Sequence, residues 1–199
     1  MSKKIYIYGA SGHGLVVADI ARSCGYGEII FIDDGDNEHP TFEMIKTDTD
    51  IPVALGIGQN HIREKIFDRL LKNGFKIVTL IHPSVIISPT ATIGMGTVVM
   101  PNVVVNAQSA IGQGVILNTA SVIEHENIIE DFVHISPNTA LAGNVTVGEK
   151  THIGIGTQVI QGITIGENCI IGAGSTIIKN IKKNRLCYGN PCREIEEIA

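Results

Sequence analysis

The sequence has no tryptophan, and its other aromatics amount to four tyrosines and five phenylalanines in 199 residues. A core built on large rings is therefore excluded, and small and β-branched side chains must fill it, which points to stacked strands. Cysteine is scarce too: Cys24, Cys169, Cys187 and Cys192 include no CxxC pair. That scatter argues against a disulfide frame or a zinc site and suits reduced thiols in the cytoplasm. Charge is low at 18% and the balance is acidic, with 15 basic against 20 acidic residues. Nucleic-acid and anionic-membrane partners, which need a basic footprint, are thereby disfavoured. No apolar run approaches the ~18 residues of a bilayer span. Lys3-Lys4 before Ile5–Tyr8 faintly imitates a secretion signal, but glycines and Asp19 interrupt it. What is abundant is apolar residues, at 44%, and glycine, at 22. Such a chain is not disordered.

The second half is governed by a six-residue step. From Ile81 it lands on Ile87, Ile93, Val99, Val105, Ile111, Leu117 and Ile123. It continues through Ile129, Ile135, Leu141, Val147, Ile153, Val159, Ile165 and Ile171 to Ile177. Four residues after most of these stands a small or β-branched residue, such as Thr97, Ser109, Ser121, Thr139 or Thr157. A period of six suits neither a helix nor simple strand alternation. It is the hexapeptide signature of a parallel β-helix, in which three hexapeptides make a triangular coil of 18 residues. Successive coils pair as parallel strands ~4.8 Å apart. Residues 18 apart therefore lie one above the other, with room for five to six coils between 81 and 182.

The first eighty residues read differently. Strands are expected at Lys4–Tyr8, Glu28–Asp33, Ile51–Ile57 and Lys76–Ile81, and helices at Leu15–Cys24 and His61–Lys72. This alternation predicts a small parallel α/β domain over residues 1–81, followed by the β-helix and its tail over 82–199. Gly9-Ala-Ser-Gly-His-Gly14 forms a tight turn between strand and helix, where backbone N–H groups can face a phosphate. Asp33 and Asp34 follow about 20 residues on, where a Rossmann-type fold holds a ribose or base. The glycine spacing is not GxGxxG, so a nucleotide or nucleotide-sugar is favoured over NAD; a turn without a ligand is the plainer alternative.

Within the β-helix, Glu124-His125-Glu126-Asn127 breaks the local chemistry, since Asn127 fills a slot held elsewhere by small or β-branched residues. A histidine flanked by carboxylates is a candidate general base. Gly143 lies 18 residues beyond His125, so its backbone is expected one coil away, where its N–H can meet a developing oxyanion. His134 lies half a coil from His125, on the far side of the prism, and the two meet only across a subunit interface. His152 is expected directly above His134, while His61 and His82 read as structural or solvated. Ile155, Ala173 and Pro191, each 18 apart, make a vertical track suited to a long ligand.

Taken together, Ile5–Val16, Asp33-Asp34, Ile57-Gly58, Gly114–Thr119, Ser121–Glu126 and Ala142–Val145 carry a resemblance over nearly the whole chain. The sequence resembles the two-domain bacterial sugar acetyltransferases of the hexapeptide-repeat class. These include the sialic acid O-acetyltransferases and the UDP-4-amino-sugar N-acetyltransferases of the bacillosamine pathway, to which it is most similar. The resemblance implies a left-handed β-helix, a homotrimer with sites between subunits, acetyl-CoA as co-substrate and no metal. It implies His125 as general base assisted by Glu126. It also implies UDP-amino-sugar contacts at Ser11, Gly12, His13, Asp33, Asp34 and Gly58. The implied acetyl-CoA contacts are His134, Gly143, Ile155, Ala173 and, along the same track, Pro191. The expected reaction is direct transfer of an acetyl group to the C4 amine of a UDP-4-amino-4,6-dideoxy-N-acetylhexosamine. Acetylation of a sugar hydroxyl, a non-catalytic β-helical binding protein and a β-helical carbonic anhydrase are the alternatives.

Overall fold

A computed structural model describes residues 2–198. The chain opens as β1 (Lys3–Tyr8), α1 (Gly12–Ser23), β2 (Tyr26–Ile32), α2 (Phe42–Ile45), β3 (Val53–Leu55) and α3 (Asn60–Lys72). The three strands form one parallel sheet in the order β2-β1-β3. β1 is central and buried on both faces, and its alternation sorts the core into two layers. Tyr6 and Tyr8 pack with Phe42, Phe67 and Leu70, whereas Ile5 and Ile7 pack with Val17, Ile20 and Ala21 of α1. The first helix starts at Gly12, three residues earlier than expected, inside the glycine turn. A Cβ at Gly14 would collide with the carbonyl of Gly9, so the turn closes this tightly only with glycine there.

The strand expected at 76–81 divides between the two parts of the molecule. Ile77 makes a single bridge to Val53, while Leu80–Ile81 (β4) pairs with Val98–Val99 (β7) of the β-helix. From β4 to β20 (Thr176–Ile177) the chain runs through seventeen two-residue strands arranged in three parallel sheets. This is a left-handed β-helix of hexapeptide repeats. The second residue of each strand is the six-step aliphatic; these side chains line up inside a single core that runs from Ile87 to Cys187. The third residue after each aliphatic turns a corner with φ between +53° and +72°, at fourteen successive corners from Gly96 to Gly174. Glycine and asparagine adopt this conformation most readily and hold nine of the fourteen positions, which accounts for their frequency there.

One sheet matters most for the site. Its outward ladder reads Leu80, Val98, Ile116, His134, His152 and Ile170, each paired to the next at 18 residues. The lower three are fully buried beneath β1 and α1, so the N-terminal domain is seated on them. The upper three emerge beside it. Above β19 (Ile170–Ile171) the register changes: Ile170 pairs with Leu186 and Ile171 with Cys187 of β21 (Arg185–Tyr188), a step of 16. The track expected through Pro191 is corrected accordingly, because Gly189 and not Pro191 follows Ala173 in this register. β21 then pairs antiparallel with β22 (Arg193–Glu197).

Candidate active site

Two groups of functional side chains form, on different sides of the prism. The first is the corner between Val122–Ile123 (β11) and Ile128–Ile129 (β12). His125 Nδ1 lies 2.9 Å from Glu126 Oε2, and both side chains are more than half exposed. The imidazole lies flat enough over Gly143 that a Cβ there would overlap the ring. Gly143 is buried, and its N–H has no acceptor among the described residues, although Ala142 and Asn144 on either side are both bonded. The disturbed slot explains how the corner is held. Ordinary slot residues send one hydroxyl bond to the carbonyl 15 residues on and can accept the N–H 18 residues on, as Thr97 does with Gly112 and Val115. Asn127 makes both, the first to Ala142 at 3.1 Å, and adds a third. Its amide donates to the Glu124 carbonyl at 2.6 Å, and its Oδ1 accepts the Val145 N–H at 2.8 Å. It therefore pins the His125 corner to the Gly143 corner.

The second group lines a cleft of about 640 Å³ between the N-terminal domain and the upper half of the ladder. Ser11, His13 and Gly56–Ile62 form one wall, and His134, Lys150, His152, Asn168 and Ile170 the other. Two helices begin at this cleft, α1 after Ser11 and α3 after Gln59, and neither N-cap side chain closes its own helix end. Their free N–H groups and dipoles favour an anionic ligand. His134 and His152 stack in parallel, 4.6 Å apart at 6°, and His13 lies 6.1 Å from His134. Ring nitrogens are held by side chains one coil below: His134 Nε2 by Asn118 at 3.1 Å and His152 Nε2 by Ser136 at 2.8 Å. Burial, reinforced by the Arg63 charge, lowers the His13 pKa to about 4. Burial and then the neighbouring His152, Arg63 and His13 bring His134 to about 2, and burial and Arg63 also lower His152. All three rings are therefore neutral at pH 7, so the stack carries no internal repulsion.

The cleft unites Ser11, His13, Gly58 and His134 from the sequence analysis, with Gly12 opening α1 beside them. Asp33 and Asp34 do not line it. Asp33 accepts the Ala10 N–H at 2.9 Å and the Gly35 N–H at 2.9 Å, and these bonds hold its pKa below the usual carboxylate range. It thereby ties β2 to the glycine turn. Burial would raise Asp34, but bonds from Tyr8 at 2.6 Å, the Phe42 N–H and Arg69 outweigh it and lower the pKa. Ile155 and Ala173 stack at exposed corners and do not line the cleft. The sequence reading missed Lys150, Asn168 and Arg63, and read as structural or solvated the His61 that borders the cleft.

Residues 4–70 match the family model of the PglD N-terminal domain, and residues 144–179 match that of the bacterial transferase hexapeptide (six repeats). The UDP-N-acetylbacillosamine N-acetyltransferase of Bacillus subtilis (strain 168) is 37% identical over 111 residues, 48% of this chain and 50% of that protein. The matched stretch thus spans about half the length of that curated relative. Among solved structures, the acetyltransferase domain of PglB from Neisseria gonorrhoeae FA1090 in complex with acetyl coenzyme A is 37% identical. That match covers 98% of this chain and 100% of that chain, with a TM-score of 0.91. A histidine-to-asparagine variant of perosamine N-acetyltransferase from Caulobacter crescentus, in complex with CoA and GDP-perosamine, is 32% identical. There the cover is 98% and 97%, with a TM-score of 0.92. With such identity over nearly all of both chains, this chain belongs to the two-domain hexapeptide-repeat acetyltransferases that carry a PglD-type N-terminal domain.

Proposed function

We propose that the chain transfers an acetyl group from acetyl-CoA to the C4 amine of a UDP-4-amino-4,6-dideoxy-N-acetylhexosamine. The domain of residues 1–81 receives the nucleotide-sugar in the cleft, and residues 82–199 carry the chemistry. His125, oriented by Glu126, takes the amine proton as the nitrogen attacks the thioester carbonyl. The Gly143 N–H receives the oxyanion; the tetrahedral intermediate then collapses, and CoA leaves as its thiol with the proton from His125. The observation that carries this reading is the corner itself: an imidazole on a carboxylate, above a buried backbone N–H without an acceptor. The relatives that bind CoA and a nucleotide amino sugar support the substrate class.

The cleft opens on one sheet, whereas His125 stands at the corner joining the other two. A sugar held in the cleft therefore meets His125 of a neighbouring copy, and we assign the working form as a homotrimer with sites between subunits. Acetyl-CoA runs in the same groove, past His134, Ile155 and Ala173. The test is mass spectrometry of products after incubation with acetyl-CoA and either the UDP-amino-sugar or sialic acid. A one-acetyl gain on the amino sugar is expected. A gain on sialic acid alone would move the enzyme to hydroxyl acetylation, and no gain with no acetyl-CoA binding would leave a binding protein.

A further inference from the structure

Arg63 on α3 is 1% exposed and the only fully buried cationic side chain among the described residues. Among the described residues no carboxylate pairs with it; its five N–H donors all go to neutral oxygens. Nε donates to the Gly114 carbonyl at 2.6 Å. One terminal nitrogen donates to the carbonyls of Ile57 and Gly58, at 3.1 and 3.0 Å. The other donates to Asn60 Oδ1 at 2.9 Å and the Phe132 carbonyl at 2.7 Å. Three acceptors thus belong to the Gly56–Ile62 wall of the cleft, and two to coils of the β-helix. Phe132 stands two residues before His134, on the opposite wall.

A bare hydrophobic contact would have joined the two domains without the desolvation cost of a buried charge. The planar fork accomplishes something a greasy contact cannot, since it fixes five oxygens from both walls in one frame. It also places an uncompensated positive charge beneath a cleft already facing two helix N-termini.

We propose that Arg63 is the positioning residue of the nucleotide-sugar cleft, setting the spacing of its walls and holding a fixed positive charge under the ligand's phosphates. The inference rests on the reading of the cleft as the nucleotide-sugar site. Its test is isothermal titration of UDP, the UDP-amino-sugar and acetyl-CoA into the intact protein and into Arg63→Lys, alongside thermal unfolding. The lysine keeps the charge and loses the fork, so nucleotide-sugar affinity is expected to fall roughly 10-fold or more, as for lost hydrogen bonds to a charged group. Acetyl-CoA affinity is expected to stay within about threefold, as it depends less on the loop wall. Where the lysine variant does not fold, Asn60→Ala removes one acceptor of the fork from the loop side and is expected to weaken the nucleotide-sugar several-fold. A folded variant with unchanged nucleotide-sugar affinity overturns the proposal, as do equal losses for both ligands, which would make Arg63 a structural clamp only. If the unaltered protein binds neither UDP nor the UDP-amino-sugar, the parent reading fails and takes this inference with it.

Discussion

The two histidine groups of this molecule are built on opposite terms. His125 is exposed, rests on a carboxylate and stands beside a backbone N–H without an acceptor among the described residues. His13, His134 and His152 are shielded beside a buried guanidinium, with pKa values pushed down. The first arrangement suits a group that must exchange protons with a reactant. The second suits rings that must stay neutral and in place, as surfaces and hydrogen-bond partners. Residue type does not separate these roles; burial and partners do.

The comparison breaks most directly at the first group. His125→Ala is expected to lower turnover roughly 10²–10⁴-fold, the usual loss on removing a positioned base, with acetyl-CoA still bound. Near-normal turnover would remove His125 from the chemistry. Gly143→Ala drives a methyl into the imidazole, and a loss of roughly 10²-fold is expected from the displaced ring. Steady-state kinetics and a preserved melting temperature together separate this from unfolding. The second group predicts a stability effect instead. Unfolded, each ring titrates near 6.5, whereas in the fold His13 and His134 stay neutral down to about 4 and about 2. Between pH 6.5 and 4 the unfolded chain therefore binds more protons, and stability falls as pH falls. The loss is about 2 kcal/mol per ring at pH 5, and denaturant titrations of His134→Asn should show a shallower slope than the parent. Glu126→Gln, which keeps the shape and removes the charge, is expected to cost about 10-fold in turnover; a loss as large as that of His125→Ala would mean Glu126 is itself the base.

The β-helix could be read from the sequence because its inward positions recur at a fixed interval and its coils pair at 18. The same interval put Gly143 over His125 and His152 over His134, and the structure agrees. The interval failed where the repeat did: Lys183 stands where the next aliphatic was due, and the chain uses Ile181 and Cys187 at a step of 16 instead. Arg63 went unnoticed because an arginine reads as a solvated helix residue. Yet Arg63, Phe67 and Leu70 share one stripe of α3, and a charge on an apolar stripe is the signal that marks it. The cleft was half legible: its glycine-turn wall is local in sequence, but Lys150 and Asn168 reach it only through the coiling of the chain.

A stack of parallel coils resembles a crystal with a growing face, since each coil leaves backbone groups ready to template another. The closing hairpin poisons that face on one side of the prism. There β21 offers its outer edge to β22, which runs the opposite way and is exposed throughout, with four charged residues among its five. An incoming parallel coil finds neither the direction nor the apolar face to dock on. The shift from 18 to 16 spoils the match further, because a coil out of step cannot seat its aliphatics over those below. What looks like an irregular ending is thus a stop signal, one that keeps a self-templating architecture at a finite length.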